Sequence, residues 1–121
     1  VLLPHVIRYN GQKPRKLAMS PKYNSYVADR KYMELAQMIG LQVNTPEEGV
    51  EAFAKACEKL LKDLDTITGF KEANIDEQAW MEKVPEMALL AFEDQCSPAN
   101  PRVPMVKHME EILKKSYYPL E

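Results

Sequence analysis

The sequence predicts an all-α protein, a bundle of about six helices joined by short connectors rich in proline and glycine. Three observations lead there. Apolar residues recur at intervals of three and four through most of the chain, and no stretch alternates with period two for long enough to form a strand. The stretch Thr45-Pro46-Glu47-Glu48 is a clear helix start, with Thr at the N-cap, Pro at the first helical position and Glu at the third. The length of 121 residues allows one helical domain, spanning 1–121, and no second.

Val1 to Tyr9 (VLLPHVIRY) is apolar at most positions, with Pro4 suited to a first turn. It predicts a short buried helix ending at Asn10-Gly11, where glycine would supply a left-handed cap. Gln12 to Ser25 lacks periodicity and holds Pro14 and Pro21, so it reads as a loop. A helix is expected from about Tyr26, with Ala28, Tyr32, Leu35, Ala36 and Ile39 on one face and Gly40 closing it.

From Thr45 the stripe Val50, Phe53, Cys57, Leu60, Leu61 and Leu64 carries a helix to about Asp63. A short helical turn is expected near Phe70 to Ala73. Asp76 caps the next helix through Trp80, Met81 and Val84, and Pro85 either begins another or kinks a longer one. Glu86 to Glu93 is apolar on most of its circumference, which predicts a central helix. Pro104 starts a final helix with Met105, Val106, Met109, Ile112 and Leu113 inward, and Tyr117-Tyr118-Pro119 reads as its terminus and a short tail.

Composition narrows the function classes. The net charge of −2 gives no excess of cations for nucleic acid or an anionic membrane, and the basic run from Lys13 to Lys22 reads as a solvated loop. Apolar runs fall far short of the ~20 residues that span a bilayer, and no signal peptide is evident. Cys57 and Cys96, without CxxC spacing, fit two reduced thiols in a cytoplasmic protein. The chain opens inside an apolar segment without an initiator methionine, as a piece cut from a longer protein would.

Residues that could carry chemistry are few. Gly11, Gly40, Gly49 and Gly69 stand alone, so no phosphate-binding glycine loop exists. His5 and His108 lack a second His or carboxylate at metal-binding spacing. His5 reads as a hydrogen-bonded packing residue, His108 as solvent-facing, Cys57 as a small buried hydrophobe and the seven methionines as core filler. Adjacent Glu93 and Asp94 point apart on a helix, and read as surface charges or as acceptors for connector amides.

The most informative stretch is Asp94-Gln95-Cys96-Ser97-Pro98-Ala99-Asn100-Pro101-Arg102, where the helical pattern stops at two prolines. The residue before a proline is pushed to extended geometry, so Ser97 and Asn100 are expected to be non-helical. The connector would then hold a thiol, an amide and a guanidinium at fixed positions. Cys96 reads either as a buried thiol in a helix cap or as a pocket-lining group.

Three stretches together resemble the C-terminal helical part of the iron-dependent (group III) alcohol dehydrogenases. They are Leu2 to Asn10 (LLPHVIRYN), Tyr32 to Ala36 leading into Ile39-Gly40-Leu41, and Asp94 to Arg102. With Ala91-Phe92-Glu93 before the last stretch and Tyr117-Tyr118 after it, the form is most similar to the bifunctional aldehyde-alcohol dehydrogenases. The long loop from Gln12 to Ser25 resembles that branch as well.

The resemblance implies a parent enzyme that interconverts acetaldehyde and ethanol with NADH/NAD. In it an N-terminal α/β domain binds the nicotinamide cofactor. An Asp and three His hold iron or another divalent metal, which polarises the substrate oxygen. The later of the two His from the helical domain lies in a His-Gly-x-x-Asn segment just upstream of the part resembling Val1. No catalytic, cofactor or metal role therefore carries over to this chain, and His5 matches no ligand position. Cys96 is the one substrate-pocket candidate.

On this resemblance the isolated chain is expected to bind no cofactor and to be inactive. Its partners are the nucleotide-binding domain of the same enzyme, a small aldehyde or alcohol and, in the parent, further copies in a homo-oligomer. A non-catalytic helical interaction or oligomerisation module is the second expectation. The apolar surface around Val1 to Tyr9 separates the two, being intramolecular in the first case and turned to a partner in the second.

Overall fold

The computed structural model describes residues 1–14 and 25–120. It is all-helical, with five α-helices and no strand among the described residues: α1 (Leu3–Asn10), α2 (Ala28–Met38), α3 (Pro46–Asp63), α4 (Glu77–Glu93) and α5 (Val106–Tyr117). Short 3-10 turns form at Phe70–Ala73, as expected, and at Ser97–Ala99. Most of the predicted loop from Gln12 to Ser25, and of the basic run within it, lies outside the described residues.

Local chemistry sets the ends. At α3 the Thr45 hydroxyl accepts from the Glu48 amide at 3.2 Å, while the Glu48 carboxylate accepts from the amides of Asn44 and Thr45, closing a capping box. The Asp76 carboxylate accepts from the Ala79 amide at 2.9 Å to start α4, which then runs through Pro85 without dividing. The predicted sixth helix is thus the second half of α4. Gly40 closes α2 as expected, at φ +87°, a left-handed conformation that favours glycine.

Two apolar clusters form the core. In one, α1 and α3 bring Ile7, Val50 and Ala54 together, with Tyr32, Phe53 and Cys57 packed against them. Gly49 lets α2 and α3 approach so closely that a Cβ there would lie 2.4 Å from the Met33 Cα. In the other, α4 and α5 join Trp80, Val84 and Tyr117, flanked by Phe70, Met87 and Leu113. The Trp80 indole donates to the Leu113 carbonyl at 3.1 Å, and the Tyr117 hydroxyl to the Ile75 carbonyl at 2.8 Å. Tyr117, the last residue of α5, is thus the helix terminus expected and also part of the core. Contact between the two assemblies runs largely through α1 against α5.

Several expectations are overturned. Gly11 is right-handed, at φ −74°; α1 needs no left-handed turn because side chains from elsewhere satisfy its last carbonyls. Ser97 enters a 3-10 turn despite preceding Pro98, its hydroxyl donating to the Ala91 carbonyl at 2.5 Å, whereas Asn100 is extended as predicted. The last helix starts at Val106 rather than at Pro104.

Burial departs most. The second half of α4 is not central: it buries Ala88 against α5, while Leu89 and Leu90 are 48% and 61% exposed. Leu35, Ile39, Leu60 and Leu64, predicted to face inward, are exposed too, as are Met38 and Met105 among the methionines taken for core filler. Apolar periodicity marks a face that seeks cover, and 121 residues cover only part of these faces.

Candidate functional site

The connector after α4 is latched to the C-terminal end of α1. Asn10, buried at 4% exposure, accepts at its side-chain oxygen from the Asn100 amide at 2.7 Å, and at its carbonyl from the Tyr26 hydroxyl at 2.6 Å. Arg102 donates from Nη1 to the Tyr9 carbonyl and the Gln12 side chain, both at 3.0 Å, and its guanidinium lies over the Tyr9 ring. A cation and amide donors are suited to a helix C-terminus, where carbonyls lack partners and the dipole is negative. Burial pushes the Tyr26 hydroxyl pKa up to about 12, so it stays a donor.

The latch sets one end of an apolar groove of about 460 Å³. Val6 of α1, Met87 and Ala91 of α4, and Met109 and Ile112 of α5 form its walls. Cys96 stands at the connector end, where its amide donates to the Asp94 carboxylate at 2.7 Å. Cys96 is exposed rather than buried in a cap, and it is among the residues that line this groove. Met87 packs against the second apolar cluster as well as lining the groove, and Met109 lines the groove.

The other candidate residues fall elsewhere. Cys57 is half-buried against the Ile7 cluster, and burial raises its thiol pKa, as for an apolar filler. His5 packs without the expected hydrogen bond: its Nε2 is buried with no partner among the described residues. Burial, then the nearby Arg8 charge, lower its pKa. His108 is not simply solvent-facing, because its Nδ1 accepts from the Met105 amide at 3.0 Å and lies 3.1 Å from the Tyr9 hydroxyl. Its N-terminal position on α5 makes it a cap.

Residues 1–117 match the sequence model for the C-terminal region of the Fe-containing alcohol dehydrogenase family. The chain belongs to this family. It is 82% identical over 120 residues to aldehyde-alcohol dehydrogenase 2 of Entamoeba histolytica, covering 99% of this chain and 14% of that protein. It is 55% identical over 118 residues to the aldehyde-alcohol dehydrogenase of Streptococcus pneumoniae serotype 2, covering 98% and 13%. With the bifunctional aldehyde-alcohol dehydrogenase AdhE of Escherichia coli K12 it shares 34% identity over 126 residues, covering 98% and 14%. The chain thus spans about one-seventh of the length of these relatives.

The all-helical architecture agrees with the helical C-terminal domain that the family resemblance implies. Among the described residues no three His, Cys, Asp or Glu side chains are grouped so as to hold a metal ion. No described helix is long and apolar enough to cross a membrane.

The sequence singled out the connector's thiol, amide and guanidinium without their partner. The signal lay in Asn10, a polar residue at the end of an apolar helix, which has to find a side-chain partner once buried.

Proposed function

We propose that residues 1–121 are one helical domain of a larger two-domain, NAD-linked, iron-dependent alcohol dehydrogenase that interconverts acetaldehyde and ethanol in the cytoplasm. The observation that carries this reading is the 82% identity, across nearly the whole chain, to a protein named as an aldehyde-alcohol dehydrogenase. The cofactor and the metal ligands belong to the rest of that enzyme, which assembles as a homo-oligomer, so this chain alone is inactive. In the full enzyme Cys96 lines the substrate pocket, supported by its exposure at the connector end of the groove.

The test is NADH-dependent acetaldehyde reduction by the full-length protein and by residues 1–121 made separately. Turnover by the full-length protein alone is the expected result; turnover by residues 1–121 overturns the division of labour. Cys96→Ala in the full-length enzyme is expected to alter substrate preference or sensitivity to thiol oxidants, and unchanged behaviour on both counts removes Cys96 from the pocket. The exposed Leu89, Leu90 and Phe92 support the second reading, a helical interaction module, and turnover by neither protein leaves that one standing.

A further inference from the structure

A smaller, polar cavity of about 110 Å³ lies where α1, α5 and the connector meet. Its polar lining comes from His5 of α1, Gln12 just beyond that helix, Arg102 of the connector, and His108, Glu111 and Lys115 of α5. At ~30 Å³ per water it holds three or four waters, which is room for a single small ion and not for a nucleotide.

The charges of this lining do not balance. Arg8, at one wall, is neutralised by Glu51 and Glu58. Of the other charged lining residues, Arg102 and Lys115 are cations and Glu111 alone is an acid. Lys115 forms no ion pair among the described residues, although its neighbour Lys114 pairs with Glu110.

The neutral groups add donors. The Met105 amide donates to His108 Nδ1, so the neutral imidazole carries its proton on Nε2. The Gln12 side-chain oxygen accepts from Arg102, which leaves its amide nitrogen to donate. His5 contributes a buried Nε2 with no hydrogen-bond partner among the described residues, where a buried polar atom ordinarily has one. Cations and N–H donors around a space of ionic size are the chemistry that binds phosphate and sulfate.

We propose that this cavity binds one tetrahedral oxyanion, a phosphate group that is free or ends a small monoester, held by Lys115, Arg102 and the N–H donors of Gln12 and His108. The site is built wholly from residues of this chain, so it stands or falls apart from the dehydrogenase reading.

Equilibrium dialysis of radiolabelled inorganic phosphate against the full-length protein tests this, with NADH added to fill any nucleotide site elsewhere. Saturable binding of one phosphate per chain, with a Kd of about 1 mM or tighter and competition by sulfate, is the expected result. Lys115→Met is expected to weaken binding about tenfold, and Glu111→Gln, which removes the opposing carboxylate, to tighten it about threefold. Lys114→Met removes the same charge one residue away, outside the cavity lining, and is expected to leave the Kd within about twofold. Competition by glycerol 2-phosphate shows that the site takes monoesters, and its failure to compete restricts the site to the free ion; either result keeps the proposal.

No saturable binding overturns it. Equal weakening by Lys114→Met and Lys115→Met also overturns it, in favour of general surface charge. Binding that neither Lys115→Met nor Glu111→Gln moves places the phosphate elsewhere and does the same. Glu111→Gln decides alone if Lys115→Met fails to fold.

Discussion

The guanidinium of Arg102 lies 4.0 Å from the centroid of the Tyr9 ring while its Nη1 donates to the Tyr9 backbone carbonyl at 3.0 Å. One side chain therefore holds both the ring and the main chain of the residue before the buried Asn10, and the connector is fixed to α1 at its last turn. Arg102→Ala is expected to destabilise the fold by about 1–3 kcal/mol, from the lost cation–π contact and hydrogen bonds. Arg102→Lys keeps the charge without the planar stacking and is expected to recover only part of that. Urea unfolding midpoints of the three proteins check the ranking.

At Gly49 the prediction runs against helix propensity. Alanine in mid-helix is ordinarily worth about 0.5–1 kcal/mol over glycine. Here the added Cβ would lie 2.4 Å from the Met33 Cα, and a backbone atom cannot turn aside. Gly49→Ala is expected to cost a net ~1–3 kcal/mol by forcing α2 from α3. At Gly11 the added Cβ meets only the Val50 side chain, so Gly11→Ala is expected to cost less. Thermal denaturation of the two variants distinguishes backbone contact from side-chain contact.

Much of this was legible in the sequence where the physics is local. The Thr45 box, the Asp76 cap, the Phe70–Ala73 turn and the Gly40 terminus each depend on residues within one or two turns, and each formed. Periodicity could not say which apolar faces this chain would cover, because that depends on what packs against them. Leu90 reads as core and is 61% exposed. Ser97 departed for a local reason, since a 3-10 turn offered its hydroxyl the Ala91 carbonyl. At the candidate site the connector was recognisable, but its attachment to Tyr9 and Asn10 spans some ninety positions and leaves no periodic trace.

Arg8 ties α1 to α3 through ions. It donates from Nε and Nη2 to Glu51, both at 2.8 Å, and from Nη1 to Glu58 at 2.5 Å. The bond from Arg8 holds the Glu51 carboxyl below its ordinary value of 4.5. A depressed carboxylate contributes stability that is present above its unfolded pKa and lost as pH falls through the folded one. Arg8→Met is expected to cost about 1–2 kcal/mol near neutrality, since Glu51 is partly solvated. That difference is expected to shrink below about pH 4 as the acid is protonated in both proteins. Denaturant titrations at neutral and acid pH read both numbers.

His5 gives a dependence of the same sign at higher pH. Burial first, then the positive charge of Arg8, hold its pKa below the ordinary 6.5, while Glu58 pulls the other way and Lys115 and the terminal amino group add to the depression. The folded protein thus resists a proton that the unfolded chain accepts. As pH falls through about 6.5 the unfolded state gains protons first, and stability declines until pH passes below the folded pKa, where the loss levels off. His5→Leu removes this titration together with the buried, unpartnered Nε2. The variant is expected to be at least as stable as the native protein at pH 7.5, by up to about 1 kcal/mol, and to gain on it as pH falls to 5.5. Melting temperatures across that interval measure the two curves. Parallel curves would mean that His5 does not titrate differently on folding, and a less stable variant would mean that the imidazole nitrogen has a partner after all, such as a buried water.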